Sequence, residues 1–271
     1  MSRSPLITIT TDFGLNNPFV GIVKGVILGI NPEVSIVDLN LQVCSYDVLD
    51  GALSLAESYR YFPPETIHLV IVDPGVGGSR RPIMAHTANY KFVAPDNGVL
   101  SFIYEQEEKT EVREIQADRY FLSPVSNTFH GRDIFGPVAA WLSRGVGVDT
   151  LGRKITDFVH LDTPKPKSVG NGLLKGLALR VDKFGTIVTN FTPESAPQLF
   201  SKPPPSFKFV INEKEITRLY KSYSEGKTSE VFVILGSSGY LEVAVSCGSA
   251  AKLLNVDRGA EVTLQFGNGP S

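Results

Sequence analysis

Side chains that can move a proton or stabilise a developing charge fall in three short segments of the sequence. Asp12 lies in the first, Asp73 and Arg80 bound the second, and His130 lies within 127–133 in the third. A histidine titrates near neutral pH, a carboxylate accepts a proton, and an arginine stabilises negative charge. Each also has a structural interpretation: Asp73 as a turn former before Pro-Gly, Arg80 as a surface charge, and His130 as a helix-start residue.

Motifs for phosphate and metal binding are not found. The glycine-rich segment from Gly75 to Arg80 lacks the Lys-Ser/Thr end of a Walker loop, and Arg80 occupies the third glycine position of a G-x-G-x-x-G pattern. The four histidines show no metal-ligand spacing; they are His68, His86, His130 and His160. We therefore expect neither a metal nor a cofactor.

Alternating strands and helices are predicted around these segments in the first part of the chain. Short apolar runs indicate strands, and apolar residues at i, i+3 and i+4 indicate helices. Strands are predicted at 6–10, 34–38, 66–72, 83–87 and 90–94, and helices at 18–30, 46–59 with Ser45 as its cap, and 131–144. This order predicts an α/β domain with a mostly parallel sheet flanked by helices, and it places Asp12 and Asp73 at strand ends, where such sheets bind ligands.

The second part of the chain has a different pattern. Residues 161–172 are rich in proline, glycine and lysine without apolar periodicity, which is typical of a linker. Beyond them, short β-type runs lie at 173–182, 186–190, 206–211, 231–235, 241–245 and 261–266. We expect an α/β substrate and catalytic domain at 1–160, a linker at 161–172, and a smaller all-β, barrel-like domain at 173–271.

Composition narrows the class of protein. The chain has 271 residues, a net charge of −2, and no run of five basic residues, which argues against nucleic-acid and membrane-surface partners. Two cysteines, Cys44 and Cys247, without C-x-x-C spacing indicate reduced thiols, which we expect to be buried. The first residues run directly into a short strand rather than a signal peptide core, so a cytoplasmic protein is expected.

Taken together, several ordered motifs resemble one known family over nearly the full chain. They are Thr10–Gly14, Val23–Val26, Val72–Gly77, Ala94–Gly98, Phe129–Asp133, Asp182–Gly185 and Gly239–Glu242. This pattern is similar to the S-adenosyl-L-methionine hydroxide adenosyltransferases, which are related to fluorinating and chlorinating enzymes. The resemblance implies hydrolysis of S-adenosyl-L-methionine to adenosine and L-methionine, by attack of water or hydroxide on the ribose 5′ carbon.

The resemblance also implies roles for the three candidate catalytic residues. Asp73, Arg80 and His130 match the family's water-handling triad, whereas halogenating relatives carry tyrosines in place of Asp73 and His130 and a serine in place of Gly131. We expect Asp73 and His130 to orient the water and share its proton while Arg80 stabilises developing hydroxide. In-line attack on a sulfonium mainly requires positioning, because the leaving group is already good.

Substrate contacts are implied by the same resemblance. Asp12 matches the ligand of the ribose hydroxyls, Tyr46 an aromatic residue over ribose and sulfonium, and Tyr223 a ring near adenine. Asp182, Ser237 and Ser238 fall where the methionine end is held. The remaining implied contacts are Asn17, Thr186 and Ala250. The alternative interpretation of the two tyrosines is structural: Tyr46 would pack in an amphipathic helix and Tyr223 in a loop.

Some positions depart from the family pattern and leave rivals open. Asn17 replaces a frequent Asp, Thr186 a frequent Asn, and Ser238 the Arg of halogenating members. The rivals are a halide-using enzyme, a non-catalytic module that binds S-adenosylmethionine or adenosine, and an unrelated α/β protein. Family resemblance further implies a homotrimer with active sites at subunit interfaces.

Overall fold

The computed structural model describes residues 4–267 and divides into two compact units, 1–163 and 164–271. Each unit has its own sheet and its own apolar core. Among the described residues, no helix is long and apolar enough to cross a membrane.

The first unit is built on a seven-stranded mixed sheet of order β2-β1-β3-β5-β4-β6-β7. The four strands β2, β1, β3 and β5 are parallel, and β4, β6 and β7 continue the sheet through antiparallel pairs. The prediction of a mostly parallel sheet therefore fits the half of the sheet formed by the first four strands, but not the half formed by the other three. The strands are β1 (Leu6–Thr11), β2 (Ser35–Asn40), β3 (Ile67–Ile71), β4 (Pro82–His86), β5 (Lys91–Pro95), β6 (Glu111–Glu114) and β7 (Lys154–Ile155).

Helices cover both faces of this sheet. Alternate residues of each strand point to opposite faces, so each strand contributes side chains to both. Ile7 and Ile9 of β1 join the core with residues of α1 and α4, whereas Thr8 faces His68 and the aromatic side chains beyond α2. The helices are α1 (Phe19–Ile30), α2 (Val48–Ala56), α3 (Ser101–Gln106) and α4 (Gly136–Ser143), with a π-helical turn at Gly131–Phe135 and 3₁₀ turns at Tyr59–Tyr61, Asp118–Tyr120 and Val148–Thr150.

Two helix predictions need correction in detail. The predicted helix 46–59 begins at Val48, and its N-cap is Asp47, whose side chain accepts from the Asp50 N–H; Ser45 is not the cap. Tyr46 lies outside the helix with φ of 63°, a left-handed conformation. The predicted helix 131–144 opens with the π-helical turn, since a chain pattern of apolar residues does not distinguish a π turn from an α turn.

The second unit carries a nine-stranded sheet that curls around one core. Its order is β12-β11-β16-β9-β10-β15-β14-β13, with β8 also paired to β9. Side chains from β9 to β12 and from β14 to β16 meet in a single apolar cluster, so the sheet must bend around it. The strands are β8 (Lys167–Gly170), β9 (Leu173–Val181), β10 (Ile187–Thr189), β11 (Phe207–Ile211), β12 (Lys214–Ile216), β13 (Leu219–Tyr220), β14 (Val231–Leu235), β15 (Leu241–Val245) and β16 (Glu261–Phe266).

Three sequence expectations differ from the structure here. The segment 161–172, expected to be a linker, contains β8, and the Leu161 N–H donates to Ser101 Oγ at 2.7 Å. The second unit is not wholly β, since it includes α5 (Ala250–Leu254) and 3₁₀ turns at Pro197–Phe200 and Tyr223–Glu225. The thiols of Cys44 and Cys247 are exposed rather than buried.

Candidate active site

Two candidate carboxylates lie at the same edge of the first sheet. Asp12 directly follows β1, and Asp73 lies two residues beyond β3. The strands β1 and β3 are parallel neighbours in which Thr11 is opposite Ile71. The carboxyl ends of parallel strands are where open α/β sheets bind their ligands, so the sheet itself delivers both side chains to one place.

Arg80 joins Asp73 to His130 in a continuous hydrogen-bonded cluster. Its Nε lies 3.0 Å from both carboxylate oxygens of Asp73, and its Nη2 lies 2.5 Å from Oδ2. The same Nη2 lies 2.6 Å from His130 Nδ1. The Arg80 and Asp73 side chains are only 9% and 6% exposed. A two-pronged pair of this kind fixes both partners in orientation as well as in charge.

The protonation state of His130 follows from this contact. A guanidinium has donors only, so Nδ1 accepts and the proton of the neutral ring lies on Nε2. Burial and the Arg80 cation lower the pKa of His130, against smaller opposing effects of Asp73 and the Ser126 backbone. The neutral ring is therefore the form that fits the cluster at neutral pH.

Gly77 allows the loop that carries Arg80 to approach the loop that carries His130. Its φ is +75°, and a Cβ there would lie 2.1 Å from the Asn127 carbonyl oxygen. No side chain fits at such a distance, and glycine adopts this φ without steric cost. Gly77 therefore serves close backbone packing between these two loops.

Both ends of the 73–80 loop are held by the consecutive residues Asp96 and Asn97. Asn97 Nδ2 donates to the Val72 carbonyl at 2.8 Å, just before Asp73. Asp96 Oδ2 accepts from Nε and Nη2 of Arg81 at 2.9 and 2.7 Å, just after Arg80. The turn at 95–98, noted in the sequence only as a motif, thus clamps the loop at its two ends.

Asp133 fixes the turn that carries His130. This buried carboxylate accepts from Arg132 Nε at 2.6 Å and from the Ser126 N–H at 2.8 Å. Burial alone would raise the pKa of Asp133, but hydrogen bonds from Arg132 and Ser126 lower it below its ordinary value. The turn that presents the His130 ring is in this way tied to a charged residue that stays ionised.

Asp12 organises a second loop of the site. Its Oδ2 accepts from the Tyr46 N–H at 2.8 Å, and Asp50 Oδ2 accepts from the Cys44 N–H at 2.9 Å. The contact with Asp12 holds the backbone of Tyr46 in its left-handed conformation, and the residue is 76% exposed. A strained, exposed aromatic residue is more typical of a ligand site than of helix packing. Asn17 is exposed in the loop between β1 and α1.

In the second unit, Asp182 closes a tight turn. Its Oδ1 accepts from the N–H groups of Phe184 and Thr186 at 2.9 and 2.8 Å. Gly185, at φ +84°, lies against Ser249, the N-cap of α5, and its carbonyl accepts from the Ala251 N–H. This packing brings the turn next to buried Ala250, while Oδ2 of Asp182 has no part in the two backbone contacts.

Tyr223 and the start of the turn that carries the two serines lie against one buried carboxylate, that of Glu242. Tyr223 donates from its hydroxyl to Glu242 Oε2 at 3.0 Å. Ser237 and Ser238 occupy the turn that starts at Gly236, where a Cβ would lie 1.8 Å from Glu242 Oε1. Burial, Glu242 and Asp182 raise the pKa of Tyr223 to about 12. Glu242 was named in the sequence only as the last residue of a motif, and strand burial alone gives no signal of its role.

Neither a metal site nor a cavity adds to these residues in the described part of the chain. No group of three histidine, cysteine or acidic side chains that could hold a metal ion occurs among them. A cavity of about 1240 Å³ opens in the second unit, but its walls include none of the predicted site residues. The structure therefore brings Asp73, Arg80 and His130 together in one unit, with Asp12 at the same sheet edge. In the other unit it places Tyr223 against Glu242 and Asp182 in a turn of its own.

Known proteins are similar to this chain over nearly its whole length. Two relatives named (R)-S-adenosyl-L-methionine hydrolase are 32% and 33% identical: that of Methanocaldococcus jannaschii, over 96% of both chains, and that of Salinispora tropica, over 98% of this chain and all of the other. A fluorinase of Actinoplanes is 23% identical over 96% of this chain and 97% of its own. A crystal structure of an uncharacterized conserved protein from Thermotoga maritima superposes with a TM-score of 0.89 at 36% identity, covering 96% of this chain and 99% of the other.

Family models match both units. The N-terminal domain of the SAM hydroxide adenosyltransferases matches residues 7–152, and the C-terminal domain matches residues 176–263. These ranges include all the motifs on which the sequence resemblance depended. The chain belongs to the S-adenosyl-L-methionine hydroxide adenosyltransferase family.

Proposed function

We propose that this protein hydrolyses S-adenosyl-L-methionine to adenosine and L-methionine. The observation that carries the proposal is the hydrogen-bonded cluster of Asp73, Arg80 and His130 at the sheet edge where Asp12 also lies. The names of the relatives that are about one third identical agree with this activity. They also specify the R configuration, so we propose that the R epimer at sulfur is the preferred substrate.

The reaction requires one bond to form and one to break. The water oxygen bonds to the ribose 5′ carbon, the carbon–sulfur bond breaks, and its electron pair leaves on sulfur as a neutral thioether. One proton of the water must be accepted. In the proposed mechanism Asp73 takes it, because Oδ1 accepts one hydrogen bond from Arg80 and keeps a lone pair for the water.

His130 then has a narrower role than the sequence suggested. Since Nδ1 is occupied by Arg80, the neutral ring cannot take a proton there without releasing the guanidinium. In the proposed mechanism His130 orients Arg80, and Arg80 stabilises the charge that develops on the attacking oxygen. Asp12, next to this cluster, fits the two ribose hydroxyls as an acceptor.

Gly131 favours water over a halide as the nucleophile. A Cβ at this position would lie 3.3 Å from Ile71 Cδ1 and from Phe129 Cε2, and 3.4 Å from Phe13 Cζ. A serine there, which the resemblance assigns to halogenating relatives, would require these packed side chains to shift by a few tenths of an ångström. We therefore rank a halide-using enzyme second.

Isotope incorporation tests the reaction directly. The purified protein is incubated with the R and S epimers in heavy-oxygen water, with and without chloride, beside Asp73→Asn. Adenosine labelled at its 5′ oxygen, formed faster from the R epimer, insensitive to chloride and lost in the variant is expected. Chlorinated nucleoside would support the halide reaction, and substrate binding without labelled adenosine would support a binding module.

We also propose a homotrimer with active sites at subunit interfaces. Helix α1 supports this by exposing three large apolar side chains, those of Phe19, Ile22 and Leu28. Light scattering gives the oligomeric state. Asp73→Asn and Asp182→Ala subunits are unfolded together and refolded as a mixture. About a quarter of the sites should then have the kcat and KM of the unaltered protein if each site draws on two subunits, and none should if it does not.

A further inference from the structure

A buried carboxylate in the second unit has no part in the proposed reaction. Glu242 lies in β15, between β10 and β14, opposite Val188 and Ile234. Its residue is only 8% exposed. Burying a carboxylate is costly unless hydrogen bonds compensate, so the partners of Glu242 indicate what the burial achieves.

Glu242 contacts two parts of the predicted substrate site at once. Oε2 accepts from the Tyr223 hydroxyl at 3.0 Å. Oε1 lies where a Cβ of residue 236 would be, so Gly236 leaves the space that this oxygen fills. The turn with Ser237 and Ser238 starts at that glycine. One carboxylate therefore links the ring to the neighbouring turn.

The Tyr223 side chain is fixed by its hydroxyl and by its backbone turn, and part of the residue is exposed. Its hydroxyl is bound to Glu242, and its ring contacts Phe232 edge-on at 6.4 Å between centroids. The residue begins a 3₁₀ turn whose capping box joins Ser222 and Glu225. Even so, Tyr223 is 46% exposed. An aromatic side chain already fixed in orientation loses little entropy when a flat ligand stacks on it.

We propose that Glu242 is a positioning residue that fixes the Tyr223 ring as a stacking surface for the purine of the substrate. The inference rests on the proposed function for the identity of the ligand. It differs from packing in that the hydrogen bond to Tyr223 should matter for binding the nucleoside end and not for the chemical step. A phenol with a pKa raised to about 12 remains a donor at neutral pH and so keeps this contact.

A double-mutant cycle tests the pair. Tyr223→Phe removes only the hydroxyl, Glu242→Gln removes only the charge, and the third variant combines them. KM for S-adenosyl-L-methionine and Kd for adenosine should each rise about tenfold in Tyr223→Phe and by a smaller factor in Glu242→Gln, whose amide oxygen can still accept, with kcat and methionine binding unchanged. The double variant should be no worse than Tyr223→Phe, because both changes weaken the same contact.

Tyr220 and Glu230 provide a matched control in the same unit. Their hydroxyl and carboxylate lie 3.1 Å apart, so Tyr220→Phe and Glu230→Gln repeat the chemistry of the test elsewhere. These controls should leave adenosine binding unchanged. Equal effects on adenosine binding in both pairs, additive effects in the cycle, or no effect of Tyr223→Phe would overturn the proposal.

Failure of the two proposals can be told apart. If the unaltered protein releases no adenosine from S-adenosyl-L-methionine, the proposed function fails, while calorimetry with adenosine still measures the Tyr223–Glu242 pair. If Glu242→Gln does not fold, as thermal unfolding would show, Tyr223→Phe beside Tyr220→Phe decides the question alone.

Discussion

The two units hold their predicted site residues by different kinds of hydrogen bond. In the first, Asp73, Arg80 and His130 bind one another across 7 and 50 positions of sequence. In the second, Asp182 binds the N–H groups of its own turn, two and four residues away. A cluster of charged side chains that bind one another is suited to catalysis. A charged side chain that orders its own turn is suited to binding the substrate. Variants of the triad should therefore change kcat, and variants of Asp182 should change KM.

Removing the Asp73 charge should have the largest effect. Asp73→Asn keeps the size of the side chain but loses the proposed proton acceptor, so kcat should fall about 1000-fold with little change in KM. Steady-state adenosine release measures both. Glu111→Gln is the control, since Glu111 also pairs with an arginine, at 2.7 Å from Arg113 Nε, on a strand away from the site. A rise in KM alone for Asp73→Asn would remove the proposed difference between the units.

Arg80→Lys should come next. Lysine keeps the positive charge but cannot bind Asp73 through two nitrogens and His130 as well. We expect kcat to fall about 100-fold, with a small loss of thermal stability. Arg113→Lys changes the same chemistry at a partly buried pair outside the site. If both variants lose the same activity, the arrangement around Arg80 has no special role.

How far the sequence predicted this site depends on the range of the interactions. Asp12 and Asp73 were placed correctly at strand ends, because periodicity reveals strands and strand ends share an edge. The triad itself was identified by resemblance, since no local pattern brings position 80 to position 130. The clamp by Asp96 and Asn97 and the role of Glu242 were missed, because they depend on tertiary contacts over 15 to 25 positions.

The same limit applies to the fold. Apolar periodicity predicted the strand–helix alternation of the first unit. It missed α3, β6 and β7, because a helix of six residues and strands of four and two residues show too little periodicity. Tyr46 was assigned to a helix because its apolar ring fits the helical pattern, but the Asp12 carboxylate holds its backbone in a left-handed turn. A polar contact from a distant strand thus prevailed over local propensity.

Asn97→Asp tests whether the clamp matters to the chemistry. The change keeps Oδ1, which accepts from the Val99 N–H at 3.2 Å, but places an acceptor against the Val72 carbonyl. We expect kcat to fall about tenfold, since loop position and not the triad is altered. Unchanged kcat in a protein that remains folded would show that Asp73 is positioned without this bond.

Asp182→Asn tests the second unit with the turn preserved. The amide oxygen can still accept from Phe184 and Thr186, and only the charge is lost. If the carboxylate binds the ammonium of the methionine end, KM should rise about tenfold with kcat nearly constant. Methionine binding, measured by calorimetry, should weaken in parallel. An unchanged KM would reduce Asp182 to a turn former.

A change of pH near neutrality should have the smallest effect on kcat/KM. Burial and Arg80 lower the pKa of His130, so the ring should stay neutral and kcat/KM should change by no more than about twofold between pH 6.5 and 8. Below that range, protonation places an N–H against the guanidinium, and kcat/KM should fall. In His130→Gln, whose side chain does not titrate, this acid limb should be lost. A limb that persists would belong to another group.

Stability should respond to acid in the same direction but over a wider range. A histidine with a lowered pKa binds protons more readily in the unfolded chain, so the free energy of unfolding is unaffected well above about pH 6.5 and decreases as the pH falls. His68, buried among aromatic side chains, has its pKa lowered by burial to about 3. Its contribution therefore continues to be lost down to that pH. Activity, which depends on the partly buried His130 in the first unit, should fall before the fold does, and His68→Gln should alter the acid unfolding curve without moving the acid limb of kcat/KM.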